Sequence, residues 1–254
     1  MNLILCGAAG RMGQRIAALS KENPKITLAA CVDKKTAQTV EGLICFTNLK
    51  DVISTGNVII DFSHADASLE NLKLAMSSKV PLVIGTTGFN LKERQQIEEA
   101  AKSIPIVFSS NMSIGVNVMW KLLEQATRAL GPAYDIEVVE MHHRLKKDAP
   151  SGTAMTTAEV LAKAAGRNLE KDAVYSRHGM IGERKAGEIG IQTLRGGDVV
   201  GDHTVYFAGI GERLEITHRA SSRDTFAQGA LRAAEWVVDK KPGLYNMQDV
   251  LGLK

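Results

Sequence analysis

Asn2-Leu3-Ile4-Leu5-Cys6-Gly7-Ala8-Ala9-Gly10-Arg11-Met12-Gly13 decides the fold. The apolar run Leu3–Cys6 reads as a strand buried on both faces, and the glycines behind it open a helix predicted over Arg11–Ser20. The spacing G-x-x-G-x-x-G is a variant of the dinucleotide fingerprint. Glycines allow the tight turn and the close approach of backbone to a pyrophosphate, whose charge the helix N-terminal amides stabilise. Asp33 follows Gly13 by 20 residues, at the end of the next apolar run. An acid there accepts hydrogen bonds from an adenosine ribose. Lys34 and Lys35 come next, and cations at that point accommodate the 2′-phosphate of NADPH; equally, they read as solvated surface.

Outward from this stretch the same rhythm continues. Ile26–Val32, Val58–Phe62, Leu82–Ile84 and Ile106–Phe108 are near-continuous apolar runs, with amphipathic helices expected at Ser68–Ser78 and Leu91–Ser103. Alternation of this kind predicts an α/β fold with a doubly wound, Rossmann-type parallel sheet. The residues between Asp33 and Asn57 read as a connecting segment. Gly85-Thr86-Thr87-Gly88 and Ser109-Ser110-Asn111-Met112 each follow a strand, at the carboxyl ends where ligands sit in such sheets. Both suit contacts at a nicotinamide, and both also read as plain turns.

Past Asn111 the pattern changes. A helix at Val116–Leu130 stops at Gly131-Pro132, a strand follows at Asp135–His142, and a helix begins near Thr153. Several β-like runs fill Glu188 to Ala220, and Thr225–Asp239 returns to helix. This organisation predicts a dinucleotide-binding domain from residues 1–112 and 222–254. Residues 113–221 form a second, α+β domain with an open mixed sheet.

Composition narrows the function. Hydrophobic residues at 44% and charged residues at 23% describe a globular protein rather than a disordered one. A net charge of +3, with no Lys/Arg tract, gives no case for nucleic acid, whereas a small acidic substrate fits. No apolar run reaches membrane-spanning length, and the start MNLILCGAAG has no charged n-region of a signal peptide. Cys6, Cys31 and Cys45 are odd in number and lack C-x-x-C spacing, which suits reduced thiols in the cytoplasm.

The densest chemistry lies in Glu140-Met141-His142-His143-Arg144-Leu145-Lys146-Lys147-Asp148-Ala149-Pro150-Ser151-Gly152-Thr153. Histidine is the side chain that can titrate near neutral pH, which makes His142 a natural general acid. Lys146 supplies positive charge or a proton. Ser151, Gly152 and Thr153 fall where a helix N-terminus offers amides to a carboxylate. A metal is the rival for the His142–His143 pair. Neighbouring strand residues face opposite ways and no third ligand stands at a recognisable spacing, so no metal is expected. Arg195-Gly196-Gly197-Asp198 and Gly211-Glu212-Arg213 read as turns, and His64, His178, His203 and His218 as isolated structural residues.

Taken together, Gly7–Gly13, Ile84–Phe89, Asn111–Val118 and above all E-M-H-H-R-L-K-K-D-A-P-S-G-T-A at Glu140–Ala154 resemble the bacterial 4-hydroxy-tetrahydrodipicolinate reductase (dihydrodipicolinate reductase) family over nearly the whole chain. The resemblance implies an NADPH- or NADH-dependent reductase of diaminopimelate and lysine biosynthesis acting on a cyclic dicarboxylate, and a homotetramer assembled through the β-rich domain. It implies cofactor contacts from Gly7, Ala8, Ala9, Gly10, Arg11, Met12, Asp33, Lys34, Gly85, Thr86, Thr87, Ser109, Ser110, Asn111 and Met112. His142 would donate the proton, Lys146 would be the second catalytic group, and His143, Gly152 and Thr153 would hold substrate carboxylates. The segment after Asp33 is shorter than in some family members. A different reductase on the same scaffold and a catalytically silent NAD(P) sensor are the other classes such a chain can fill.

Overall fold

The computed structural model describes residues 1–34 and 38–253, so Lys35 lies outside the described residues. Contacts divide the chain into two compact units, Met1–Ile114 with Arg223–Lys254, and Gly115–Ser222.

In the first unit the elements run β1 (Asn2–Cys6), α1 (Arg11–Glu22), β2 (Thr27–Val32), β3 (Thr39–Val40), β4 (Leu43–Ile44), β5 (Val58–Asp61), α2 (Ala65–Ser78), β6 (Leu82–Ile84), α3 (Leu91–Ala100) and β7 (Pro105–Phe108). The second unit holds α4 (Ile114–Leu130, which starts on the last residue of the first), β8 (Asp135–His142), α5 (Gly152–Ala165), α6 (Leu169–Asp172), β9 (Ala173–Val174), β10 (Ile189–Arg195), β11 (Gly201–Ala208) and β12 (Arg213–Ala220). The chain then rejoins the first unit as α7 (Asp224–Val237), β13 (Gly243–Tyr245) and α8 (Met247–Leu251).

The first sheet is six-stranded and wholly parallel, in the order β13-β7-β6-β5-β1-β2. Its apolar runs are continuous because both faces are covered. Leu3 and Leu5 of β1 enter a core with Ile16 of α1 and Ala230 and Ala234 of α7, while Ile4 and Cys6 enter another with Leu72 of α2 and Ile97 of α3. The strand order reverses beside β1, which lies between β2 and β5, so the carboxyl ends of β1 and β5 flank a topological switch point.

Two readings are corrected. The connecting segment after Asp33 contains a small hairpin, β3–β4, turned by Glu41 and Gly42 at φ 51° and 86°. Positive φ at both turn residues is the type I′ signature, and a glutamate in the first place hides it from the sequence. Helix α2 begins at Ala65, three residues before the predicted Ser68, with Asp66 in its first turn favouring the positive end of the helix dipole.

The second sheet is mixed, in the order β12-β11-β8-β10-β9. Strand β8 runs parallel to β10 and antiparallel to β11. Ile136 and Val138 of β8, Ile189 and Ile191 of β10 and Val205 and Phe207 of β11 pack with Trp120 of α4 and Leu161 of α5 into one core. Trp120 keeps its indole N–H satisfied there by donating to Thr157 Oγ1 at 2.9 Å.

Candidate active site

The glycine loop is shaped by contacts that tolerate no side chain. Gly7 has φ 74°, and a Cβ on it would lie 2.4 Å from the Phe62 carbonyl oxygen; at Gly13 a Cβ would lie 2.2 Å from the Gly7 oxygen. The amides of Gly7 and Ala8 donate to the Val32 carbonyl at 2.9 and 3.2 Å, and that of Ala9 donates to Asp33 Oδ2 at 2.9 Å. The turn is therefore tied to the end of β2. Arg11 and Met12 open α1, where first-turn amides lack helical acceptors and point at whatever lies before the helix.

Beyond these strand ends lies an open cavity of about 1100 Å³. Gly7, Ala9, Gly10, Arg11, Met12, Asp33, Lys34, Gly85, Thr86, Thr87, Ser109, Ser110, Asn111 and Met112 all line it. Ala8 is the exception: it is buried beneath the loop, close under Gly13, and supports the turn without lining the cavity. His64, read as isolated, also faces the cavity.

One residue that ties together three of the cavity's lining residues, Ser63, Asn71 and Thr86, escaped the sequence reading. Asp61, fully buried at the end of β5, accepts from Ser63 N–H (2.9 Å) and Oγ (2.6 Å), Thr86 Oγ1 (3.0 Å) and Asn71 Nδ2 (2.8 Å). It fastens the Ser63 turn, the Thr86 loop and α2 together. An acid closing a buried apolar run was the available signal, since such a charge requires partners.

In the second unit the register of three strands builds a different kind of site. The buried face of β8 reads Ile136, Val138, Glu140, His142, apolar for two positions and then ionisable for two. Thr193 and Arg195 of β10 pair with Glu140 and His142, and His203 of β11 pairs with Glu140. A polar layer thus continues the apolar core across the same strands.

Glu140 is fully buried and has every oxygen engaged. Its Oε2 meets His142 Nδ1 at 2.5 Å and accepts from Arg195 Nη1 at 2.9 Å. Its Oε1 accepts from Arg195 Nη2 (2.9 Å), the Ser151 amide (3.0 Å) and Thr193 Oγ1 (3.2 Å). Burial alone would raise the carboxyl, but hydrogen bonds from His142, Arg195 and Ser151 outweigh it and bring it down to about 2. His203 packs edge-on to His142 with ring centres 5.2 Å apart and shares a 3.1 Å hydrogen bond with Ser151 Oγ. Burial, reinforced by the neighbouring charge of His142, brings His203 down to about 3. His203 and Arg195, read as a structural histidine and a turn residue, both belong to this layer. Their side-chain partners Ser151 and Glu140 lie more than 50 residues away in the chain.

The predicted polar cluster surrounds it. Lys146 pairs with Asp148 at 2.9 Å, and the Asp148 carbonyl accepts from Arg195 Nη2 at 2.7 Å. The strand ends at His142, and the His143 amide donates to the Val199 carbonyl at 2.7 Å. Ser151 caps α5, its Oγ accepting the Ala154 amide at 3.1 Å, so Gly152 and Thr153 form the opening turn of that helix. Cys6, Cys31 and Cys45 are all buried free thiols, and burial raises each of them. Among the described residues no helix is long and apolar enough to cross a membrane.

Comparison with known proteins agrees on both halves of the chain. The family descriptions "Dihydrodipicolinate reductase, N-terminus" and "Dihydrodipicolinate reductase, C-terminus" match residues 1–112 and 115–251. A 4-hydroxy-tetrahydrodipicolinate reductase of Syntrophobacter fumaroxidans is 51% identical, over 98% of this chain and 98% of its own. One of Syntrophus aciditrophicus is 48% identical, over 100% and 99%. A dipicolinate-bound dihydrodipicolinate reductase from Paenisporosarcina sp. TG-14 superposes with a TM-score of 0.80 at 25% identity, covering 98% of each chain. A protein of gentamicin A biosynthesis, solved in complex with NAD, shares the fold alone, with a TM-score of 0.63 at 13% identity over 100% of this chain and 90% of that one.

Proposed function

The chain belongs to the dihydrodipicolinate reductase family, and from that membership we infer that it carries out the NAD(P)H-dependent reduction of 4-hydroxy-tetrahydrodipicolinate to tetrahydrodipicolinate, in diaminopimelate and lysine biosynthesis. Residues 1–112 and 222–254 form the dinucleotide-binding domain in this reading, and residues 113–221 the substrate-binding and oligomerisation domain. The observation that carries the chemistry is the ionised Glu140 against His142 at the end of a buried strand face, next to the capped start of α5.

The first unit's cavity fits a dinucleotide: the glycine turn is a cradle that a Cβ would fill, and its helix presents first-turn amides. Gly7, Ala9, Gly10, Arg11 and Met12 hold the pyrophosphate, with Ala8 supporting them from below. Asp33 takes the ribose hydroxyls and Lys34 a 2′-phosphate, so both NADPH and NADH are accepted. Gly85, Thr86, Thr87, Ser109, Ser110, Asn111 and Met112 contact the nicotinamide end. When bound, the reduced nicotinamide supplies hydride to the substrate's conjugated C=C–C=N system as water is lost.

His142 then delivers a proton, directly or through water, to the carbon that has gained enamine or carbanion character. Lys146 stabilises negative charge and anchors a carboxylate. His143 and the amides at Gly152 and Thr153 hold the carboxylates of the cyclic dicarboxylate. We assign the protein to the cytoplasm and to a homotetramer built through its second domain.

Oxidation of NADPH and NADH, followed in parallel with enzymatically generated substrate, is the direct test. Both should be consumed, and keto acids should not replace the cyclic substrate; consumption with keto acids alone would mark a different reductase. His142→Gln should lower kcat by on the order of 10²-fold or more with little change in KM, since proton transfer matters in the transition state. Lys146→Ala should lower kcat and raise KM together, and unchanged kinetics would remove Lys146 from the site.

A further inference from the structure

We propose that Glu140 is a positioning residue for this reaction: clasped by Arg195, it fixes the tautomer of His142, so that the ring keeps a proton on Nδ1 and releases the transferred one only from Nε2. The proposal rests on the reading of His142 as the proton donor.

The arrangement leaves little freedom. A carboxylate ionised at neutral pH only accepts hydrogen bonds, so the 2.5 Å contact requires a proton on His142 Nδ1. A neutral ring is then the Nδ1–H form with a bare Nε2, and a charged ring carries its labile proton on Nε2. Glu140 cannot rotate away, because Arg195 grips both of its oxygens and the Ser151 amide and Thr193 hydroxyl hold Oε1. Five donors on one buried carboxylate are more than neutralising Arg195 requires.

The other nitrogen has room made for it. A Cβ at Gly201, on β11, would lie 3.0 Å from Nε2 and 3.4 Å from Cδ2 of His142. The charged and titratable groups around the ring are Glu140 on its own strand and His203 on β11, with Arg195 on β10 behind Glu140; Lys146 and Asp148, paired with each other, follow in the next loop. Of these, only Glu140 is hydrogen-bonded to His142. Arg195 also reaches the Asp148 carbonyl, and through it the same clasp restrains the loop that carries Lys146.

The test is nitrogen NMR of the histidine rings in the full-length protein, with His142 assigned from the signal lost in His142→Gln. In mildly alkaline solution wild-type His142 should show a protonated Nδ1 and a bare Nε2. In Glu140→Gln the Nε2–H form should become the major one, kcat should fall on the order of 10²-fold, and KM should stay within about twofold. Gly201→Ala should likewise lower kcat, with the Nδ1–H form retained. An Nε2–H ring in the wild type overturns the proposal even if Glu140→Gln fails to fold. So does a folded Glu140→Gln with normal kcat and an unaltered tautomer, which would leave Glu140 a purely structural partner of Arg195. If His142→Gln itself keeps normal kcat, the proton-donor reading has failed, and that outcome is separate from the tautomer result.

Discussion

At the scale of single residues, the second unit stores a dependence on pH. His203 has an ordinary value of 6.5 and is held at about 3 by burial in the folded protein. Between those values the unfolded chain binds a proton that the folded one refuses, so stability rises with pH across that window and falls as pH drops below 6.5. From pH 7 to pH 5 this amounts to on the order of 2 kcal/mol. Glu140 adds the same sign later: its low value stabilises the fold above about pH 4.5, and that contribution is lost as pH falls towards 2. Thermal melts should therefore show Tm falling from pH 7 to 5, with a flatter slope in His203→Gln; an unchanged slope would place the acid sensitivity elsewhere. Neither residue advertised this in the sequence. His142 and Lys146 stand out in the sequence because they share a short polar run, whereas His203 and Arg195 acquire their contacts from partners on neighbouring strands.

Among the elements, local grammar was the readable part. Strand β1, its glycine turn and α1 follow one another without interruption, and the steric reason for each glycine lies within the loop or against the adjacent Phe62 turn. Gly13→Ala forces backbone apart, since the new Cβ would stand 2.2 Å from one carbonyl oxygen and 2.6 Å from the Ala8 backbone. It should weaken NADPH binding by more than about tenfold, measured by fluorescence titration, and cost roughly 1–3 kcal/mol in thermal stability. Helix α3 gives a milder case: Asn90 and Glu93 form a reciprocal capping box, and Asn90→Ala should cost about 1 kcal/mol with kinetics unaltered. Register was the unreadable part. The sequence reads a strand at β8 and β-like runs at β10 and β11, but only their pairing stacks Thr193, Glu140 and His203 in a row. Asp61 failed for a related reason, because its four donors come from a turn, a helix and a loop that the chain brings together late.

For the whole molecule, ligand linkage and assembly are the measurable consequences. NADPH at about 100 times its Kd should stabilise the protein by about 2.7 kcal/mol, seen as a raised Tm, and the same concentration should give Gly13→Ala about half of that or less. Met141 and Leu194, paired in register, lie on the sheet face opposite the buried one, with Leu194 about half exposed. Light scattering should return four times the 27.4 kDa chain mass, and a monomer would refute the tetramer. The first unit's parallel sheet gains its edge strand β13, and the helix α7 against α1, only from the last stretch of chain. During synthesis the ribosome therefore exposes β7 and the underside of β1 long before anything arrives to cover them, while residues 115–222 emerge as an uninterrupted piece able to close first. A nascent chain stalled near residue 220 would display a half-dressed sheet, a natural target for chaperones and a point at which overproduction without them ends in aggregates.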